Sequence, residues 1–412
     1  MKVHGLACLL GLAPCLAIPF QLPFQRPLKH IHTNVAFHTT QTLTPYTTPW
    51  VNELQAIYNT FGEIKNDTVC PTKIQSWSCE PYELTDKDLV MPRDVWHLRP
   101  HDIKAVVSIG DSITAGFAML SGRPPFATVL EFRGKVFSGG GDDSEYTLTN
   151  FLRTYTKHIE GSPSGFTLPL ATGKGLNTAV SGAIAQTLPS QIERLKRQFS
   201  FGGRYHKYKD EWKLATVFIG ANNLCAACGP DSTVPEIADP EEYGAALKFA
   251  LQELRDSIGP AFVNLVGIFD VTLVYELSRG HSYCELLFDK LPFPICGCAT
   301  GNESDRQKAG DLAREYNEIM ERVAQEINEE SEIEGTFGVV FQPGLTEFKE
   351  GSSQYGQGYL SGLDCFHPNK CANQVMAISL WNNMFSNRED KYRPMKPSDL
   401  EIYCPGPKDY LR

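Results

Sequence analysis

The stretch VVSIGDSITAG, Val106 to Gly116, runs an apolar, β-branched segment into Gly-Asp-Ser and continues with residues suited to a helix. Two readings compete for Ser112. Its hydroxyl is either lifted onto a sharp strand-to-helix turn as a nucleophile, or spent as an N-cap on the first helical N–H groups. Working outward, short apolar runs recur from Ile103 on: AVVSIG, LNTAVSG, LATVFIG, AFVNLVGIFDV and FGVVFQPG, with helical stretches between them. Parallel strands need crossover connections, so five strands alternating with helices predict a mainly parallel sheet covered on both faces, an α/β fold. In such sheets, function gathers at the carboxyl ends of the strands.

The helical stretches read as core-facing. LPSQIERLKRQF and PEEYGAALKFALQELRDSI carry apolar residues at three-and-four spacing, and SDRQKAGDLAREYNEIMERVAQEINEE aligns Leu312, Tyr316, Ile319, Val323 and Ile327 on one face. Ser304 and Gln307 stand in capping-box register at the start of the last, and Gly259-Pro260 stops the one before it. The Gly-rich piece SGGGDDSEYTL has neither a Walker Lys-Ser/Thr nor a G-x-G-x-x-G pattern, so it reads as a surface loop rather than a phosphate cradle.

Composition narrows the function classes. With 42% hydrophobic and 21% charged residues over 412, the chain is that of a folded globular protein. A formal net charge of -10 argues against a nucleic-acid partner, whose phosphates demand clustered Lys and Arg. MKVHGLACLLGLAPCLA has the layout of a signal peptide ending at Ala17, and KPSDLEIYCPGPKDYLR lacks a lipid-anchor tail, so a secreted product without a transmembrane anchor is expected. Removing Cys8 and Cys15 leaves ten cysteines, an even number suited to disulfides. Their clustering suggests mostly local bridges, with Cys225-x-x-Cys228 read as a disulfide rather than a zinc or redox pair. Asn66 and Asn302 head glycosylation sequons. Residues 18–100, rich in Pro, Thr and His with one helical patch at WVNELQAIYNTFGEI, read as a loop-rich arm packing on a main domain at 101–390, with a C-terminal tail at 391–412.

At the strand ends stand Gly110-Asp111-Ser112, Ser181-Gly182 and Gly220-Ala221-Asn222, while GLDCFHPNKC places Asp364 three residues before His367. A serine hydroxyl needs a base to take its proton, and the base needs an acceptor on its other ring nitrogen; Ser112, His367 and Asp364 could fill those roles. Backbone N–H groups at Ser112 and Gly182, with the Asn222 amide, could receive a developing oxyanion. Singly, each residue has a blander explanation as cap, turn, loop side chain, solvated carboxylate or surface histidine. Their ordered set is what points to chemistry.

That set resembles the SGNH or GDSL hydrolases, with Ser112, Gly182, Asn222 and His367 as the four named residues and Asp364 completing a triad. HLRPHDIKAVVSIGDSITAGFA, SGGGDDSEYTLTNFLRTY, LNTAVSGA, VFIGANNLC and DCFHPN are similar to the animal phospholipase B group, from about His97 to Cys404. The resemblance implies a flavodoxin-like α/β/α sandwich, an acyl-enzyme on Ser112, no metal and no cofactor, and a phospholipid or lysophospholipid substrate. It leaves open another ester, such as an acylglycerol, a retinyl ester or an acetylated sugar, and a non-catalytic binding protein on the same scaffold. Two departures stand out. Asn223 occupies a position where the family usually has Asp, and this chain has one unit where the best-known phospholipase B proteins have tandem repeats. No G-x-S-x-G elbow of the other lipase class was found. FAMLSGRPPF and LLFDKLPFPIC are candidates for an acyl groove, the latter through Phe293.

Overall fold

Strands β1 (Ala105–Gly110), β2 (Lys213–Phe218), β3 (Ala261–Val266) and β4 (Phe337–Gln342) lie side by side in that order, all parallel. The register aligns Val107 with Ala215, Ala215 with Val263 and Val263 with Val339. This computed structural model describes residues 70, 72–86, 89–90, 94–122, 129–169, 171, 175–228, 235–290, 295–331, 335–346, 357–394 and 396–412. The signal-like segment, the helical patch from Trp50, Asn66 and Phe293 lie outside the described residues.

The helices used below are α1 (Ser112–Ala115), α2 (Leu188–Phe199), α3 (Ala221–Cys225), α4 (Pro240–Ile258), α5 (Leu273–Ser278), α6 (Ser282–Asp289), α7 (Glu303–Ser331) and α8 (Lys370–Asn383). Because strand side chains alternate between faces, Val107, Ile109, Val217 and Leu265 enter one core layer with α2, α4 and α7. Val106, Phe218, Phe262 and Val266 enter the other with α8, whose Trp381 is fully buried. The result is an α/β/α sandwich with the sheet interior to both layers, which is why its strands read as unbroken apolar runs.

Helix limits follow local chemistry. Asp239 accepts from the N–H groups of Glu241 and Glu242 to start α4, and Gly259 at φ +78° ends it. The long α7 starts earlier than the capping-box reading places it. Asn302 Oδ1 accepts from Asp305 N at 3.0 Å while its Nδ2 donates to Asp305 Oδ2 at 2.7 Å, so Asn302 is the cap and Ser304 is already helical.

Two further expectations are corrected. LNTAVSG is not a full fifth strand, although it runs parallel along the free edge of β1: Ser108 N donates to Leu176 O, Thr178 N to Ser108 O and Val180 N to Gly110 O. The ladder breaks between Gly110 and Thr178, because Gly110 N donates to Gln191 Oε1 and Thr178 O accepts from the Arg194 guanidinium, so side chains take both groups of the next rung. The disulfides are also not local. They join Cys70 to Cys371, Cys79 to Cys404, Cys225 to Cys296, Cys228 to Cys298 and Cys284 to Cys365. A parallel sheet sets the ends of successive crossover units next to each other, so loops far apart in sequence become neighbours. Each bridge closes a loop of 70 residues or more, worth roughly 4 to 6 kcal/mol on a chain-entropy account. Trp77 stacks on Phe151 with ring centroids 4.4 Å apart, so the described part of the N-terminal arm lies against the α8 layer.

Peptide mapping without reduction is expected to return these five cross-linked pairs. A peptide closed by Cys225 and Cys228 alone would contradict the fold drawn here.

Candidate active site

The turn after β1 is shaped by one close approach. A Cβ on Gly110 would come within 2.1 Å of the Phe218 carbonyl oxygen and 2.6 Å of Thr114 Oγ1, so only glycine lets β1 pass β2 and swing into α1. Gln191, buried on α2, holds both backbone groups of Gly110, accepting from its N–H at 3.0 Å and donating to its carbonyl at 2.8 Å. Asp111 then caps α1, its Oδ1 accepting from Ile113 N at 2.9 Å. The cap is therefore filled one residue before Ser112, and the Ser112 hydroxyl remains available for other work.

That hydroxyl lies 2.8 Å from His367 Nε2, and His367 Nδ1 lies 2.6 Å from Asp364 Oδ2. Asp364 Oδ1 accepts from the backbone N–H groups of Phe366 and His367 at 2.9 and 3.0 Å. Burial alone would raise the Asp364 carboxyl. The charge and hydrogen bond of the His367 ring, with the two backbone donors, outweigh it and hold the carboxyl below its ordinary range. An ionised Asp364 accepts only, so Nδ1 carries a proton and Nε2 is left to accept from Ser112.

The loop bearing Asp364 and His367 is held from several sides. Cys365, between them, adopts a left-handed φ of +53° and is bonded to Cys284 on α6. Ser361 accepts from Cys365 N and donates its own N–H to His367 O, while its hydroxyl donates to Ala118 O just beyond α1. The Phe117 ring packs on the imidazole with centroids 4.8 Å apart.

Gly182 and Asn222 come together through their neighbours. Val180 N donates to Gly110 O, which sets the 180–183 turn beside the end of β1, and Asn222 Nδ2 donates to Ala183 O at 2.9 Å. Gly182 has φ +82°, a region that disfavours side chains, and a Cβ there would meet nothing within 4 Å. Ser112, His367 and Asp364 thus touch directly, whereas Gly182 and Asn222 are joined to them through Gly110 and Ala183. Asn223, the departure noted above, is fully buried; it accepts from Ala185 N and donates to Gln186 Oε1 and Ile237 O, which a carboxylate could not do. Asn302 is exposed at the start of α7.

Asp111 as the cap and Gln191 as the clamp are functional neighbours that the sequence motifs do not single out. Gln191 had a signal: a polar residue between Leu188 and Leu195 on the buried stripe of α2. The two stretches read as an acyl groove pack inward where described, Phe117 and Ala118 in a small cluster, Leu287 and Phe288 in another. An apolar hollow, ≈ 560 Å³ including its open mouth, flanks the histidine loop between Phe269, Leu273, Leu277, Phe366, Pro368 and Val375, and Leu277 and Phe366 pack in the same cluster as Leu287 and Phe288. Among the described residues, no helix is long and apolar enough to cross a membrane.

Residues 106–380 match the family described as GDSL-like Lipase/Acylhydrolase. The chain belongs to that family. Membership places it among the carboxylic-ester hydrolases. It is 28% identical over 346 residues to "Phospholipase B1, membrane-associated" of Mus musculus, a match covering 81% of this chain and 22% of that one. The Homo sapiens protein of the same name is 29% identical over 333 residues, covering 78% and 22%. This GDSL-family chain therefore spans about a fifth of the length of these curated relatives. Among solved structures, a catalytic mutant of the acetylxylan esterase Axe2 from Geobacillus stearothermophilus aligns at 13% identity with a TM-score of 0.33, over 69% of this chain and 94% of that one.

Asp111 offers a pH test. Burial pushes its carboxyl up to about 6, with the Ile113 N–H and the charge of His367 only partly offsetting it. A raised carboxyl pKa contributes stability that is full below the ordinary value of 3.8 and lost as pH rises through 6. Relative to Asp111→Asn, which retains an acceptor for Ile113 N–H, the unmodified protein is expected to lose roughly 2 kcal/mol between pH 4 and pH 7.5. Denaturant titrations at the two pH values measure it, and a pH-independent difference would contradict the assignment.

Proposed function

We propose that this protein is a secreted phospholipase B or lysophospholipase-like serine hydrolase that releases fatty acids from glycerophospholipids. The observation carrying the reading is the continuous hydrogen-bonded chain from Ser112 Oγ through His367 to Asp364, at 2.8 and 2.6 Å. In it, Ser112 Oγ attacks the ester carbonyl carbon while His367 Nε2 takes the hydroxyl proton. Asp364 holds the Nδ1 proton and stabilises the imidazolium without accepting that proton itself. The carbonyl oxygen, now an anion, is received by the N–H groups of Ser112 and Gly182 and by the Asn222 amide. Collapse expels the alcohol of the glycerophospholipid, protonated by His367, and leaves an acyl ester on Ser112. Water, deprotonated by His367, attacks that ester, and the fatty acid departs as Ser112 regains its proton.

Support for a lipid ester comes from the family match, from similarity to the two phospholipase B1 proteins, and from the apolar hollow flanking His367. Burying an acyl chain gains about 0.8 kcal/mol per methylene, a gain that an acetyl group does not offer. Secretion is supported by the signal-like start of the chain and by five disulfides. In this reading the hydrolase unit occupies residues 101–390, and Asn66 and Asn302 carry glycans.

Incubation with mixed-chain phosphatidylcholine and a calcium chelator, followed by mass spectrometry, is expected to yield free fatty acids and glycerophosphocholine. Ser112→Ala and His367→Ala are each expected to lower turnover on the order of a millionfold, and Asn222→Ala roughly a hundred- to a thousandfold. Covalent labelling of Ser112 by a fluorophosphonate without release from phosphatidylcholine or its lyso form would move the substrate to a different ester. Full activity of Ser112→Ala would end the serine-hydrolase reading.

A further inference from the structure

A buried ion pair that this chemistry does not use lies between the turn at Ser112 and the loop at Gly182. Glu131 and Arg133 are both buried, with Arg133 Nη2 2.6 Å from Glu131 Oε2. Their segment is laced by its backbone to the residues leaving α1: Ala118 N donates to Leu130 O at 2.8 Å and Phe132 N to Gly116 O at 2.9 Å. The side chains reach the other way. Glu131 Oε1 accepts from Ser181 Oγ at 2.6 Å, while Arg133 donates to Asn177 Oδ1 at 3.0 Å, to Asn177 O at 3.3 Å and to Ala179 O at 2.9 Å. Asn177 closes the circuit by donating to Thr114 O, inside α1, at 2.8 Å. Thr167 Oγ1 accepts from Arg133 Nε and donates to Glu131 Oε2, at 3.2 and 3.3 Å.

Stability alone does not account for this arrangement, since a buried ion pair is often no better than well-packed apolar residues of the same volume. A satisfied charged network does supply fixed geometry, because its bonds are short and directional in a low dielectric. What needs fixing here is the peptide between Ser181 and Gly182, whose N–H is that of Gly182. Gly182 has no side chain and sits at φ +82° with open space where a Cβ would be, so it cannot lock that plane itself. The turn is closed by Ala183 N donating to Val180 O at 3.0 Å, and the side chain that anchors its central peptide to the surrounding structure is that of Ser181, through Glu131.

We propose that Glu131, Arg133 and Ser181 are positioning residues that set the Ser181–Gly182 peptide plane relative to Ser112, so that the Gly182 N–H meets the oxyanion. The proposal rests on the serine-hydrolase reading above. Oxyanion donors act by being aimed in advance at charge that appears only in the transition state, so a small rotation of one peptide costs turnover rather than ground-state binding.

Ser181→Ala in the full chain is the decisive variant, because it removes one part-buried hydroxyl and leaves the ion pair in place. On a soluble p-nitrophenyl ester, kcat is expected to fall tenfold or more with KM within twofold. Affinity for a trifluoromethyl ketone, which forms an oxyanion on Ser112, is expected to fall in parallel. Affinity for an ether-linked lysophospholipid, which forms none, is expected to stay within twofold. Ser181→Thr, which keeps the hydroxyl, should recover most of the lost kcat. Combining Ser181→Ala with Glu131→Gln should lower kcat no more than twofold beyond Glu131→Gln alone; should Glu131→Gln fail to fold, the two Ser181 variants carry the test. An unchanged kcat in Ser181→Ala, or equal losses for the ketone and the ether, would overturn the proposal. Ser112→Ala separates the two readings: if it is inactive while Ser181→Ala is fully active, only the positioning role falls, whereas an active Ser112→Ala removes the hydrolase reading beneath it.

Discussion

The site depends on keeping a carboxylate charged where water cannot reach it. Asp364 is buried, and burial by itself favours its neutral form. Two backbone N–H groups and the imidazole of His367 reverse that preference, and the backbone donors belong to Phe366 and His367, so the charge is stabilised by the loop it organises. The left-handed turn at Cys365 makes this possible, because it folds the chain back far enough for one carboxyl to reach both backbone donors and the ring of the same short segment. Disulfide bonding to α6 and the Ser361 hydrogen bonds then hold the turn against the exit from α1.

A second constraint is topological. Parallel strands present all their carboxyl ends on one edge, so the residues after β1, after β2 and along the edge segment 176–182 arrive side by side without any sequence proximity. The three approaches are then tied by side chains that bond to backbone: Gln191 to Gly110, Asn222 to Ala183 and Asn177 to Thr114. Buried polar groups of this kind cost free energy when left unmet, so each tie tolerates little displacement.

How much of this is legible in the sequence depends on the range of the interaction. The α2 and α4 spans can be read from the chain because three-and-four periodicity and local caps are short-range signals, and β1 to β4 can be read because buried parallel strands are unbroken apolar runs. The strand ends bearing Ser112, Gly182 and Asn222 follow from the same pattern. LNTAVSG is misread because its apolar content matches a strand, while the side chains of Gln191 and Arg194 take the Gly110 N–H and the Thr178 carbonyl that would continue the ladder, contacts that periodicity does not see. The disulfides are misread for the opposite reason: clustering in sequence suggests local partners, but crossover topology decides which loops meet. Glu131 and Arg133 look like surface charges in the chain, and only their three-dimensional partners distinguish them. The α7 cap falls at Asn302 because two competent capping residues lie close together and the Asn302–Asp305 pair settles between them.

The long-range disulfides also change what a cut chain is. The loop closed by Cys70 and Cys371 and the loop closed by Cys79 and Cys404 overlap, and together they enclose every peptide bond from residue 70 to residue 404. Scission of any one of those bonds leaves a single covalent molecule, its pieces joined like a ring opened at one link. Ser112 on one piece and His367 on another would still travel together. A nicked protein would keep its mass, apart from one added water, until a reductant separates it, so electrophoresis without reduction would count damaged and intact molecules as the same species.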